Sequence, residues 1–82
     1  MSEPVPEGEL VLHVARALVD HPDAVEVTTS DSDRGTLLEL RVAEEDLGKV
    51  IGRHGRMAKA IRMLLTASAA KAGRHVHLDI IG

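Results

Sequence analysis

Apolar residues in this chain recur first with the period of a helix, then with the period of strands, then as helix and strand again. That alternation constrains the fold more than any other feature. Over residues 9–20, Val11, Val14, Ala15 and Leu18 recur at helical spacing, with Leu10 and Ala17 beside them. Glu7 and Glu9 suit the positive end of the helix dipole; Asp20 and His21 form the exit, and Pro22 stops the helix. Residues 24–29 alternate, with Val25 and Val27 inward and Glu26 and Thr28 outward, as a half-buried strand does. The turn-rich stretch 30–35 leads back into a strand over 36–42, with Leu38, Leu40 and Val42 on one face. A short helix is expected over 43–49, weakened or ended by Gly48, and a long one over 56–72, stopped by Gly73. A last strand over 75–81 turns Val76, Leu78 and Ile80 inward. The predicted order is α-β-β-α-α-β: an α+β fold whose three-stranded sheet carries three helices on one face.

The long helix divides by face. Met57, Ile61, Leu64, Leu65 and Ser68 fall together on an apolar side, while Arg56, Lys59, Arg62, Met63 and Thr66 fall opposite. The core must be aliphatic, because the 82 residues include no Trp, Tyr, Phe or Cys. Those absences exclude a disulfide framework, a cysteine zinc site and any surface that stacks bases on aromatic rings. A domain this small must pack efficiently or gain stability by association. Residues 1–8, with two prolines and a glycine, read as a flexible leader, and 9–82 as the domain. No stretch is long and apolar enough to span a bilayer, and the first ten residues lack the pattern of a signal peptide. A cytoplasmic protein is expected.

Net charge is −3, which taken whole argues against a nucleic-acid binder. The distribution argues otherwise. Residues 1–46 hold twelve acids and three bases, whereas residues 47–77 hold seven bases and no acid. The acids read as a solvated face that repels misplaced polyanion. Within the basic segment lies Gly52-Arg53-His54-Gly55, between two helices. Alone this spacing is weak, but its surroundings give it meaning. Val50 and Ile51 would anchor it in the core, and Lys49, Arg56 and Lys59 flank it. Glycines let a nucleic-acid backbone approach without Cβ clashes. The free N–H groups and dipole of the following helix favour phosphate, and Arg53 adds a fork of donors.

The stretch VIGRHGRMAKAIR, set in that element order, resembles a KH domain of type II topology. ALVDHPDAVEV, LELRVAEEDLGKVIGRHGRMAKAIRMLL and HVHLDII are similar to the small bacterial single-domain proteins of the KhpA family, over about residues 9–81. The resemblance implies binding of single-stranded RNA and an RNA-chaperone role. It also implies self-association or pairing with a larger KhpB/Jag-type RNA-binding protein, and a link to cell-wall biogenesis and cell shape. By position, Gly52, Arg53, His54 and Gly55 would clamp the RNA backbone, with Val50, Ile51 and Met57 supporting the loop or lining the groove. Lys49, Arg56, Lys59 and Arg62 would steer the RNA. Ala58 stands where many such domains carry a larger aliphatic, so Met57 and Ile61 are expected to take more of the packing. His54 stands where Lys, Gln or Arg is more usual.

Other readings are weaker. His75 and His77 share a strand face, but His13, His21 and His54 lie elsewhere, so exposed histidines rather than a metal site are expected. No cofactor is implied. An enzyme is not expected: Gly48-x-x-x-Gly52 lacks the ending of a phosphate-binding P-loop, and Ser68 reads as a packed small residue. The alternative function is a dimerising protein-interaction module. Thr66, Ala67, Ala69 and Ala70 would offer a close-packing helix surface, and exposed Leu37 and Ile81 further contacts.

Overall fold

The computed structural model describes residues 6–82. Helix α1 (Pro6–Leu18) precedes a hairpin of β1 (Glu26–Ser32) and β2 (Gly35–Arg41). Then come α2 (Leu47–Ile51), α3 (Arg56–Lys71) and β3 (Val76–Ile81). Single 3₁₀ turns at Pro22–Ala24, Glu44–Asp46 and Arg53–Gly55 lead into β1, α2 and α3. β2 is the central strand, antiparallel to β1 and parallel to β3. The sheet is therefore mixed, and the element order is the one the sequence implies.

Strand alternation builds the core. Leu38 and Leu40 of β2, Leu78 and Val76 of β3, and Val25 and Val42 beside the strands are buried. They meet Val11 and Ala15 of α1, Val50 of α2, and Ile61, Leu65 and Ala69 of α3 in one cluster. Full burial of a leucine contributes about 1.5–3 kcal/mol. Leu38, Leu40 and Leu65 thus do much of the work that aromatic rings do elsewhere. The other sheet face carries Glu26, Thr28, Arg41, His77 and Asp79, all exposed.

Several boundaries differ from expectation, each for a polar reason. α1 starts at Pro6, so the expected leader over 1–8 overlaps the helix; residues 1–5 lie outside the described residues. Proline suits a helix's first turn, where its missing N–H has no partner to lose. Glu7 is buried there, paired with Arg74 and bonded by the Ser68 hydroxyl at 2.5 Å. Ser68 is thus a hydrogen-bond donor rather than inert packing. α1 ends at Leu18, because the Asp20 and His21 N–H groups bond the Asp46 carboxylate at 3.2 and 2.9 Å instead of continuing the helix.

The strand expected over 24–29 runs instead to Ser32, through residues expected to turn. Ladder pairing continues to Ser32 opposite Gly35, and side chains support it: the Thr36 hydroxyl donates to Asp31 Oδ1 at 3.1 Å. Gly48 sits inside α2 and ends nothing. On α3 the buried stripe is Ala58, Ile61, Leu65 and Ala69. Leu64, expected on the apolar face, is 57% exposed. The small Ala58 is itself covered, and Met57 is only half-buried. Leu37 and Ile81, expected exposed, are half-buried.

Candidate nucleic-acid interface

α2 ends abruptly at Gly52, whose φ of 77° and ψ of 172° turn the chain outward. A Cβ there would lie 2.6 Å from Met57 Cβ and 2.9 Å from Met57 N, so only glycine fits. Residues 53–55 make a single 3₁₀ turn closed by the Gly55 N–H donating to the Gly52 carbonyl at 3.1 Å. His54 (φ 58°) and Gly55 (φ 72°) are both left-handed, which reverses the chain into α3. The left-handed region costs a non-glycine residue roughly 1–2 kcal/mol, so His54 holds local strain. A Cβ at Gly55 would meet nothing within 4 Å. The space beside it is open, and Gly55 has no side chain to cap the 16-residue helix that follows. The first N–H groups of α3 are therefore left without a side-chain cap, at the positive end of a long helix dipole.

The cations divide into two groups. Lys49 pairs with Asp20 and, at 3.6 Å, with Asp46. The Asp20 carboxylate is the main reason its ammonium is held above the usual lysine range. Arg74 is likewise held by Glu7. Arg53, Arg56, Lys59 and Arg62 form no ion pair among the described residues and are exposed. Arg56, Lys59 and Arg62 fall three residues apart along α3, so one basic stripe runs from the loop down the helix. Val50 is fully buried under the loop, and Ile51 and Met57 are half-buried beside it. The loop residues 52–55 and the exposed cations of α3 thus lie together, with Val50 and Ile51 of α2 beneath them, while Lys49 is committed to carboxylates.

Beside the stripe, a groove separates α3 from β3. Arg62, Leu65 and Thr66 form one wall, and Val76, His77, Leu78 and Asp79 the other. β3 is the last strand of the sheet on this side. Arg62 Nε reaches across to donate to the Leu78 carbonyl at 3.3 Å. Further along the outside of α3, Met63 is 64% exposed and lies beside Thr66, Ala67 and Ala70.

Two carboxylates that support the site were not legible in the sequence. Both were expected on a solvated face, yet Glu7 and Asp46 are each 1% exposed. Burial pushes the Asp46 carboxyl up, but N–H donors from Asp20 and His21 and the His21 ring outweigh it and hold the group below its ordinary value. Arg74, against the opposing effect of burial and with help from Ser68, holds Glu7 low as well. Asp46 directly precedes α2, a position that reads as a helix cap. Its side chain instead turns back to the end of α1 and ties α1 to the helix that carries the loop. Among the described residues, no group of three or more His, Asp or Glu could hold a metal ion, and no helix is long and apolar enough to cross a membrane.

A mixed three-stranded sheet in α-β-β-α-α-β order, with a glycine-bracketed turn between its second and third helices, defines a KH domain of type II topology. The sequence model of the KhpA/KhpB KH domain matches residues 8–80, and the chain belongs to that family. Among curated proteins it is 53% identical over 74 residues to "RNA-binding protein KhpA" of Caldanaerobacter subterraneus, covering 90% of this chain and 99% of the relative. It is 53% identical over 75 residues to the protein of that name from Treponema pallidum, covering 92% and 94%. The Leifsonia xyli protein of that name is 55% identical over 69 residues, covering 84% and 88%.

Proposed function

We propose that this protein is a non-enzymatic binder of single-stranded RNA, holding the RNA backbone at Gly52–Gly55 and laying bases along the groove between α3 and β3. The observation that carries this reading is Gly55: left-handed, open on its outer side, and set before the uncapped first turn of a long helix. A phosphate can approach there and meet N–H donors, with Arg53 and Arg56 adjacent. The relatives' name, RNA-binding protein KhpA, supports the same ligand. A site of this size grips few nucleotides and has no ring to stack on, so binding is weak and permissive, as an RNA chaperone requires. Affinity is then gained by pairing, either with a second copy or with a larger KhpB/Jag-type RNA-binding protein in the bacterial cytoplasm. The family resemblance ties that activity to cell-wall growth and cell shape.

Replacing Arg53 and His54 by Asp sets two carboxylates against phosphate on an exposed turn. The expected result is loss of RNA binding with an unchanged circular dichroism spectrum. Wild-type affinity in that double variant would sink the loop assignment. The second reading, a dimerising interaction module, is favoured by the apolar exposure of Met63 and Leu64 near Ala67 and Ala70. Solution mass and RNA crosslinking on one sample separate the two: a dimer without crosslinks supports the module alone.

A further inference from the structure

We propose that Asp46 is a positioning residue for RNA: with Lys49 it clamps α2 to the exit of α1, and so holds the Gly52–Gly55 loop in the shape that takes phosphate. The proposal rests on the RNA reading above.

α2 has only five residues, and helices shorter than about 12 residues are marginal on their own in water. Its place is therefore set by tertiary contacts. Val50, fully buried in the core cluster, supplies one. Asp46 supplies another. It stands directly before α2, where an aspartate ordinarily caps a helix, yet it makes no cap bond. Its buried carboxylate instead takes the Asp20 N–H on Oδ1 at 3.2 Å and the His21 N–H on Oδ2 at 2.9 Å. The His21 ring Nδ1 lies 3.0 Å from the same Oδ2. Lys49, on α2 itself, closes the arrangement: its ammonium bonds Asp20 and lies 3.6 Å from Asp46 Oδ1. α1 is fixed in turn by Val11 and Ala15 in the core, so the clamp ties α2 to the body of the fold.

The loop continues α2 directly. The Gly52 N–H donates to the Gly48 carbonyl at 2.9 Å and the Gly55 N–H to the Gly52 carbonyl at 3.1 Å, so a shift of α2 passes into the turn. His54 in that turn is left-handed, a conformation that persists only where its surroundings over-determine it. On the far side, buried Ala58 and Ile61 hold α3. On the near side, the clamp and Val50 hold α2. Without the clamp the loop keeps its phosphate-binding shape for only part of the time, and apparent affinity falls by that fraction. The bound complex still makes the same phosphate contacts, so its salt dependence is unchanged. Lys49 thus serves RNA binding without touching phosphate.

The test is fluorescence anisotropy of a labelled uridine octamer on the full chain over a range of salt, at a temperature where each variant is folded by circular dichroism. Asp46→Asn sets an amide N–H among N–H donors. It also removes a negative charge, which by electrostatics alone would favour RNA; the clamp predicts the opposite sign, binding about fivefold weaker at an unchanged salt slope. Lys49→Ala should weaken binding about threefold at that same slope, and the two losses should not add in the double variant. Glu7→Gln breaks the tie at the other end of α1 and should stay within about twofold of wild type, which separates positioning from general stability. Wild-type or tighter binding in Asp46→Asn overturns the proposal. So does a slope lowered by about 0.7 in Lys49→Ala, or a loss in Glu7→Gln as large as in Asp46→Asn. If Asp46→Asn does not fold, wild-type affinity in Lys49→Ala overturns it. A wild type that binds no RNA overturns the RNA reading instead. Hydrogen exchange then tests the clamp without RNA: faster exchange of the Gly52 and Gly55 amides in Asp46→Asn than in Glu7→Gln supports it, and equal exchange overturns it.

Discussion

A methyl group at Gly52 would collide with Met57, whereas one at Gly55 would enter open space. The same spacing in sequence therefore hides two jobs. Gly52→Ala combines a positive φ with a clash and should cost roughly 1–3 kcal/mol of stability, measured by urea unfolding followed by circular dichroism. Gly55→Ala should cost about 1–2 kcal/mol, for its left-handed φ alone. Its larger effect should fall on RNA affinity, because the methyl would stand where backbone approaches. The glycine pair and its basic neighbours were legible from residue type and spacing. That Lys49 is consumed by Asp20 and Asp46 was not, because those partners lie 29 and three residues away and only the fold brings both to it. Lys49→Ala should therefore leave the salt dependence of RNA binding unchanged. Lys59→Ala should lower the slope of log affinity against log salt by about 0.7, the share of one single-strand phosphate contact.

Among the elements, β2 is the one the rest depend on, since both pairings run through it and its Leu38 and Leu40 are fully buried. Leu38→Ala should destabilise by about 3 kcal/mol, read from the unfolding midpoint at constant slope. The order of elements was visible in the sequence because apolar periodicity reports which face is buried. Their ends were not. Asp46 captures the N–H groups that would extend α1, and the hydrogen bond between Thr36 and Asp31 carries the hairpin into a stretch whose residues favour turns. Periodicity also assigned Leu64 to the buried side of α3, when the stripe is centred on Ala58, Ile61, Leu65 and Ala69. A helix wheel ranks side chains by greasiness, and the small alanines that let α3 lie close to its neighbours carry too little apolar weight to move its axis.

At the scale of the molecule, Glu7 and Asp46 fasten α1 at both ends, to Arg74 after α3 and to Lys49 in α2. Both carboxyls are held below their ordinary values when folded. Their contribution to stability is complete above the unfolded carboxyl range near pH 4 and is lost as pH falls through the folded values. Wild type should lose stability steeply below about pH 4, and the Glu7→Gln/Asp46→Asn double variant should be less stable at neutral pH with a flatter acid limb. Thermal unfolding across that range measures both slopes. The parallel pairing of β2 with β3 has a further consequence, for the order of assembly. β1 and β2 meet across two residues, whereas Thr36 and Val76 must close a loop of 40. Short closures come early and long ones late, so the hairpin should form before β3 docks. The cleft beside α3 has no second wall until that final docking event. On the function proposed above, this chain becomes competent for RNA only once β3 has docked.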